Sequence, residues 1–270
     1  MFWYLVLQAL FISCFCNTIN DYKEAYKAIK LSNIFGIGAV CKDGVIMVSV
    51  PFSQSKSLPT IGSARINMDL DELEDSSNAV VEPDYNKNRK CITKIDDDIT
   101  VTIIGIPSDC NYILDVIKSL ANEYKRNFDV TIPLIVLADQ LSDYLHSEPA
   151  SRPFAVDMLL GSADVSNDVY LDENNSIIQR NLNGKLLYMN CAGDYHDIFS
   201  GITETFNKDD EESKLLNKFY SNIKKTKWLT LTCSESIDLL KGLLDNDKYI
   251  QQKINNQRYY QIITTQKNTK

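Results

Sequence analysis

The sequence predicts an α+β fold of two mainly antiparallel sheets with helices outside them. Three observations carry this. The element order is strand-rich, then two helices, then strand-rich, then mainly helices, which is not the βαβα alternation of a parallel sheet. The hydrophobic period switches between short apolar runs and helical stripes. With 270 residues, 44% hydrophobic and 24% charged, the chain can bury a sizeable core without disulfides or metals.

Asp21–Leu31 reads as a helix with Tyr22, Ala25, Tyr26 and Ile29 on one face. Ile34–Val40 and Gly44–Val50 are short apolar runs joined by Cys41-Lys42-Asp43-Gly44, and Asp-Gly between such runs signals a hairpin. Residues 53–90 read as a long polar insertion, acidic around Asp69–Asp75. That acidic run lacks the glycine and spacing of a calcium loop and reads as a solvated loop. Cys91–Thr102 gives two strand-like runs around Asp96-Asp97-Asp98, ending at Gly105.

A helix follows in which Ser108 or Asp109 can cap the first turn, with Ile113, Leu114, Ile117, Leu120, Ala121 and Tyr124 as its apolar stripe. Another starts near Pro133, with Leu134, Leu137, Ala138, Leu141 and Leu145 inward. Strands are expected at Ala155–Leu160, Asp168–Asp172 and Ile177–Asn181. Helices are expected at Asp197–Phe206, Glu211–Ile223 and Ser236–Leu244, and a last strand at Tyr259–Thr264.

Charge and cysteine usage narrow the function classes. Lys and Arg number 28 against 36 Asp and Glu, a formal charge of −8, which argues against a general nucleic-acid binder. A mean hydropathy of −0.21 excludes a polytopic membrane protein. Met1–Cys16 is uncharged and shorter than a bilayer-spanning helix needs. It fits the apolar region of a secretory signal or anchor, a buried or surface-lying apolar segment, or a coding start placed too early; the lack of an early Lys or Arg counts against a signal. Cys41, Cys91, Cys110, Cys191 and Cys233 are scattered without a C-x-x-C pair and read as buried thiols of a reducing compartment.

Few residues suggest chemistry. His146 and His196 lack ligand-spaced partners, and His146 reads as a helix-end capping or surface residue. G-x-S-x-G is absent, and Gly36-x-Gly38 precedes a strand and reads as sheet packing. No metal site or cofactor is expected. The single sequon at Asn174 is of a kind chance supplies.

The ordered blocks resemble the alpha-type subunits of the 20S proteasome core, in a divergent form. Glu24-Ala25-Tyr26-Lys27-Ala28-Ile29-Lys30-Leu31-Ser32 with Gly36–Val40 resembles that family's opening pattern, and Lys42-Asp43-Gly44-Val45 its next block. Ile104-Gly105-Ile106-Pro107-Ser108-Asp109 resembles the corner that starts its first long helix. Ser151-Arg152-Pro153-Phe154-Ala155-Val156, with Leu159-Leu160-Gly161 and Asp164, resembles its Arg-Pro-Phe-Gly-Val strand and the turn after it. Coverage runs from about 21 to 265.

The resemblance implies the four-layer αββα sandwich of the N-terminal-nucleophile hydrolases, in a non-catalytic form and as a single domain over 17–270. It implies a seven-membered ring, stacked on the beta ring with Asp109–Tyr124 facing it, that controls substrate access in ubiquitin-dependent degradation. Expected partners are other alpha and beta subunits and proteasome activators, with no nucleic acid and no membrane unless the leader is retained; the expected location is cytoplasm and nucleus. The alternatives are a paralogue of the fold sent to a secretory compartment as a binding protein, or an active hydrolase. The family's Gly-Arg-Leu-Phe-Gln-Val gate segment is missing, with the apolar leader in its place. Arg65 and Lys90 are the two candidates for the family's activator-docking lysine, and the Asp-Pro-x-Gly turn has become Asp172-Glu173-Asn174-Asn175.

An N-terminal-nucleophile protease needs a free terminal Thr, Ser or Cys leading directly into the first strand. Cleavage before Thr18 exposes a threonine, but the helical stretch separates it from Ile34. Ser32 lies nearer and requires cleavage after Leu31. The expectation is therefore no peptidase activity from this chain alone.

Overall fold

The structure is a computed structural model that describes residues 21–51 (apart from 31 and 33), 91–147 (apart from 97), 152–163, 166–171, 177–182, 184–203, 219–247, 250 and 261–266. The apolar leader and the whole 53–90 insertion, with Arg65 and Lys90, lie outside these residues.

Helix α1 (21–30) leads into strands β1 (Ile34–Cys41) and β2 (Gly44–Pro51), paired in register from Ile34 opposite Pro51 to Cys41 opposite Gly44. The Asp43-Gly44 hairpin is therefore as the sequence predicts. Strands β3 (Ile92–Lys94) and β4 (Ile99–Gly105) follow, then helices α2 (Pro107–Phe128) and α3 (Leu134–Ser147). After them come β5 (Val156–Ser162), β6 (Ser166–Leu171), β7 (Ile177–Leu182), β8 (Lys185–Met189), β9 (Tyr195–Asp197) and β10 (Ser200–Ile202). Helix α4 (described over 219–225), a 3-10 turn at Trp228–Thr230, helix α5 (Cys233–Asn246) and strand β11 (Gln261–Gln266) complete the described order.

Two antiparallel sheets face each other. One has the order β10-β1-β2-β11 and the other β3-β4-β5-β8-β9, while β6 and β7 form a separate hairpin. Alternation along each central strand assigns its two faces. On β1, Phe35, Ile37, Ala39 and Cys41 pack outward with Phe219, Ile223, Trp228, Leu240 and Leu244 of the α4–α5 layer. On β4 and β5, Ile99, Val101, Ile103, Val156, Met158 and Leu160 pack outward under α2 and α3. Between the sheets lie Val40, Val45, Met47, Ile92, Leu159 and Leu186. The result is the four-layer αββα sandwich. Because both faces of the central strands are covered, every residue of β1, β4 and β5 is buried, and β1 reads as a nearly continuous apolar run.

The sheets approach closely where Gly38 stands: a Cβ there would lie 2.9 Å from a Leu186 methyl. Gly36 and Gly38 are thus packing glycines, as the sequence suggested.

Three expectations need correction. Asp197–Phe206 is not helical at its described start: β9 pairs with β8 and β10 with β1, so this stretch steps from one sheet edge to the other. Strand β8 was not foreseen, although it pairs with β5 at the centre of its sheet. The first turn of α2 is not capped by Ser108 or Asp109: its N-cap is Ile106, without a side-chain cap, and Pro107 occupies the first turn, where its missing N–H is no loss. Tyr259, Tyr260 and residues 211–218 lie outside the described residues.

Candidate functional site

Two of the blocks that the sequence singles out, Ile104–Asp109 and Arg152–Val156, meet at one end of the sandwich, while the binding candidates Arg65 and Lys90 lie outside the described residues. There Gly105, at φ 138°, turns the chain from β4 into α2; a side chain would place its Cβ 1.9 Å from the Ala155 carbonyl oxygen. The Ile106 amide donates to that same oxygen at 3.0 Å.

Asp109, in the first turn of α2, reaches across instead of capping its helix. Its Oδ2 accepts from Arg152 Nη1 at 2.8 Å and from the Ala155 amide at 2.9 Å, and its Oδ1 accepts from Arg152 Nη2 at 2.9 Å. The carboxylate is buried while the Arg152 side chain is 52% exposed. Burial opposes ionisation of Asp109, but the Arg152 fork, the Ala155 amide and the Ser108 hydroxyl together hold its carboxyl below the usual carboxylate range. Phe154 stacks on Tyr112 at 5.4 Å, and the Tyr112 and Tyr144 hydroxyls lie 2.7 Å apart. The Ile104–Asp109 and Arg152–Val156 blocks are therefore one physical unit, brought together across 43 residues.

Helix α1 lies over this end. Ala25 and Ile29 pack with Ile34, Ile104, Ala155, Cys91 and Cys191. A recess of about 300 Å³ remains between the helix and the corner, lined by Asp21, Glu24, Ala28, Ile106, Arg152 and Pro153.

Beneath α1 is a polar cluster. The Tyr188 hydroxyl donates to Asp157 Oδ2 at 3.2 Å, and Tyr26 and Cys191 lie near that carboxylate. Burial first, then the charge of Asp157, pushes the Cys191 thiol up to about 12. Burial likewise raises the phenols of Tyr26 and Tyr188, so all three stay protonated at neutral pH. The group can supply hydrogen bonds but not a nucleophile. Sequence reasoning missed this cluster; its signal was Asp157, a charge inside an otherwise apolar strand.

Ser32, at the end of α1, is the residue nearest the first strand that carries a nucleophilic atom. In the uncleaved chain its nitrogen is a peptide amide, donating to Ile29 O at 3.0 Å; an N-terminal nucleophile would need that bond to residue 31 cut to free an amine base. Its hydroxyl oxygen is buried without a hydrogen-bond partner. Thr18 lies outside the described residues.

The histidines have other roles. His146 Nδ1 donates to the Ser142 carbonyl at 2.8 Å at the end of α3, in the helix-end role expected of it. His196 lies against Tyr188 at the sheet edge. Among the described residues no group of three or more His, Cys, Asp or Glu is placed to hold a metal ion, and no helix is long and apolar enough to cross a membrane.

The fold defines a class, the α+β sandwich in which two antiparallel sheets lie between helix layers. Sequence comparison gives a likeness to one family: residues 76–176 match the model of the proteasome subunits. It is 36% identical over 80 residues to the proteasome subunit beta 2 of Desulfurococcus amylolyticus, covering 30% of this chain and 39% of that protein. It is 30% identical over 76 residues to the proteasome subunit alpha type-3 of Drosophila melanogaster, covering 27% and 30%. To the proteasome subunit beta 2 of Staphylothermus marinus it is 34% identical over 79 residues, covering 29% and 38%. The matched stretches thus span less than two fifths of each relative, and those relatives carry both alpha and beta names.

Proposed function

We propose that the chain is a non-catalytic, alpha-type subunit of a proteasome core, acting by assembly with other proteasome subunits. One observation carries this reading: α1 precedes β1 and packs over the end of the sandwich, and its last turn holds the Ser32 nitrogen as a peptide amide. With that nitrogen bonded to Ile29, the start of the first strand has neither the free amine nor the open approach that terminal-nucleophile chemistry requires. The chain then contributes surfaces rather than a reaction, and proteolysis belongs to its partners.

Single-domain organisation, activator docking through Arg65 or Lys90, and a cytoplasmic and nuclear location belong to the same proposal. It is tested by affinity purification of the tagged full chain. Recovery of other alpha and beta subunits in a particle of core size supports it, and recovery of none overturns it.

The beta names among the relatives favour a second reading, a catalytic subunit. That reading requires cleavage between residues 31 and 32, which would convert the Ser32 amide into an amine. Mass spectrometry of the mature N-terminus decides it, since any start other than Thr, Ser or Cys excludes the mechanism.

A further inference from the structure

The recess between α1 and the corner is lined by groups that the proposed function does not use. Arg152 is fixed in its wall. Nη1 donates to Asp109 Oδ2 at 2.8 Å and to the Pro153 carbonyl at 3.0 Å, and Nη2 donates to Asp109 Oδ1 at 2.9 Å. A guanidinium carries five N–H donors in one plane, so these bonds leave the Nε–H and the second N–H of Nη2. Those two are neighbours on one edge of the plane, the fork that holds a carboxylate through two parallel bonds. Neither donates to an acceptor among the described residues, although Arg152 is held firmly at its other edge.

The α1 side of the recess carries the reverse charge. Asp21 and Glu24 occupy exposed positions on the helix. Glu24 is paired with Lys27 at 2.5 Å, while Asp21 has no ion pair among the described residues. Between the charged sides, Ala28, Ile106 and Pro153 form an apolar lining. Ile106 is also the N-cap of α2 and brings no side-chain acceptor, so the positive end of that helix falls on the Arg152 side. At about 300 Å³ the recess is at the small end of the range for ligand pockets.

We propose that this recess is a binding site for a small zwitterion of the α-amino-acid class, a free amino acid or a dipeptide with apolar side chains. The ligand carboxylate takes the open edge of Arg152, the ammonium faces Asp21 and Glu24, and the side chain lies on Ala28, Ile106 and Pro153. The lining itself demands both charges. Asp109 already offsets the charge of Arg152, so the arginine recognises a carboxylate by its fork geometry more than by net attraction. A plain anion also meets Asp21 and Glu24 as like charges, and a plain cation leaves the fork empty.

The test titrates the purified, 15N-labelled full chain with leucine, leucyl-leucine, N-acetyl-leucine and leucinamide, following binding by calorimetry and by amide NMR shifts. The expected result is saturable binding of leucine or leucyl-leucine, with shifts at Ala28, Ile106 and Arg152. The tighter of the two gives the ligand length. Blocking either charge should weaken binding by about tenfold or more. D21N should weaken the zwitterion several-fold and leave N-acetyl-leucine unchanged, and A28L, which fills the recess from α1, should abolish binding. Arg152 is kept, because its loss would also release Asp109. The ligand series on the native chain decides the matter if a variant does not fold. The proposal is overturned if neither zwitterion saturates up to about 10 mM, or if the acetylated and amidated forms bind as well as their parents. The measurement uses the chain alone, so its outcome is separate from whether the chain assembles with other subunits.

Discussion

Replacing Asp109 with Asn tests whether the carboxylate, and not merely its shape, holds the corner together. In the native protein this side chain accepts two hydrogen bonds from Arg152 and one from the Ala155 amide. Charge-assisted bonds contribute about 1.5–3 kcal/mol each, so counting all three would suggest roughly 4–9 kcal/mol. That sum is too high, because the Arg152 side chain is 52% exposed and can rehydrate when its partner is lost. The Asn carbonyl also keeps one bond to the amide. The expected loss for D109N is then about 1–2 kcal/mol, whereas D109A orphans the buried Ala155 N–H and should cost about 2–4 kcal/mol.

The pH dependence gives an independent signature. The folded carboxyl titrates below its unfolded value, so near and below pH 4 the unfolded chain binds more protons than the folded one. The stabilisation is therefore fully present above about pH 4 and is lost as pH falls through the folded value. Urea unfolding, followed by fluorescence of the buried Trp228, measures both effects. The gap between wild type and D109N should be widest at neutral pH and should close in acid. A gap unchanged between neutral pH and pH 3, or a D109N chain as stable as wild type, would refute the charge argument.

Other outcomes follow from the same geometry. T232A removes the capping box in which Thr232 Oγ1 accepts from the Glu235 amide while Glu235 Oε2 accepts from the Thr232 amide; a loss of about 1 kcal/mol is expected by urea unfolding, with faster hydrogen exchange at the start of α5. G105A should give little soluble protein, because Gly105 combines a left-handed φ with a Cβ position 1.9 Å from a backbone oxygen. L137A, at a fully buried position on α3, should cost about 2–5 kcal/mol in the same assay. Cys191, with its thiol pushed up to about 12, should resist iodoacetamide at pH 8 until denaturant is added; labelling of the folded chain would contradict the burial assigned to it.

What could be read from the sequence depended on how locally each feature is determined. The Asp43-Gly44 turn and the stripes of α2 and α3 are encoded within a few residues, and all three are where the spacing put them. The stretch beginning at Asp197 misled because Ile198, Ile202 and Phe206 are spaced four apart, a helical interval, while the structure uses short strands at two sheet edges. Strand β8 gave no alternation because Leu186, Leu187 and Met189 are buried on both faces of its sheet. At the site, Asp109 and Arg152 were each visible as motif residues, but their pairing depends on the Gly105 turn and the return of β5 alongside β4. Such a pairing is set by the tertiary fold, which spacing along the chain does not contain.

The topology also dictates an order of events during synthesis. All strands of the sheet carrying β3, β4, β5, β8 and β9 lie between residues 92 and 197, so that sheet and its covering helices α2 and α3 can close while the ribosome is still making the remainder. The other sheet contains the earliest strands, β1 and β2, yet its edges are completed by β10 at 200–202 and β11 at 261–266. The first hairpin made is thus the last to be enclosed. For most of translation it exposes unpaired strand edges and apolar faces, the features most prone to sticking to other chains. Among the described strands, that newborn hairpin waits longest for its partners and has the greatest need of a chaperone.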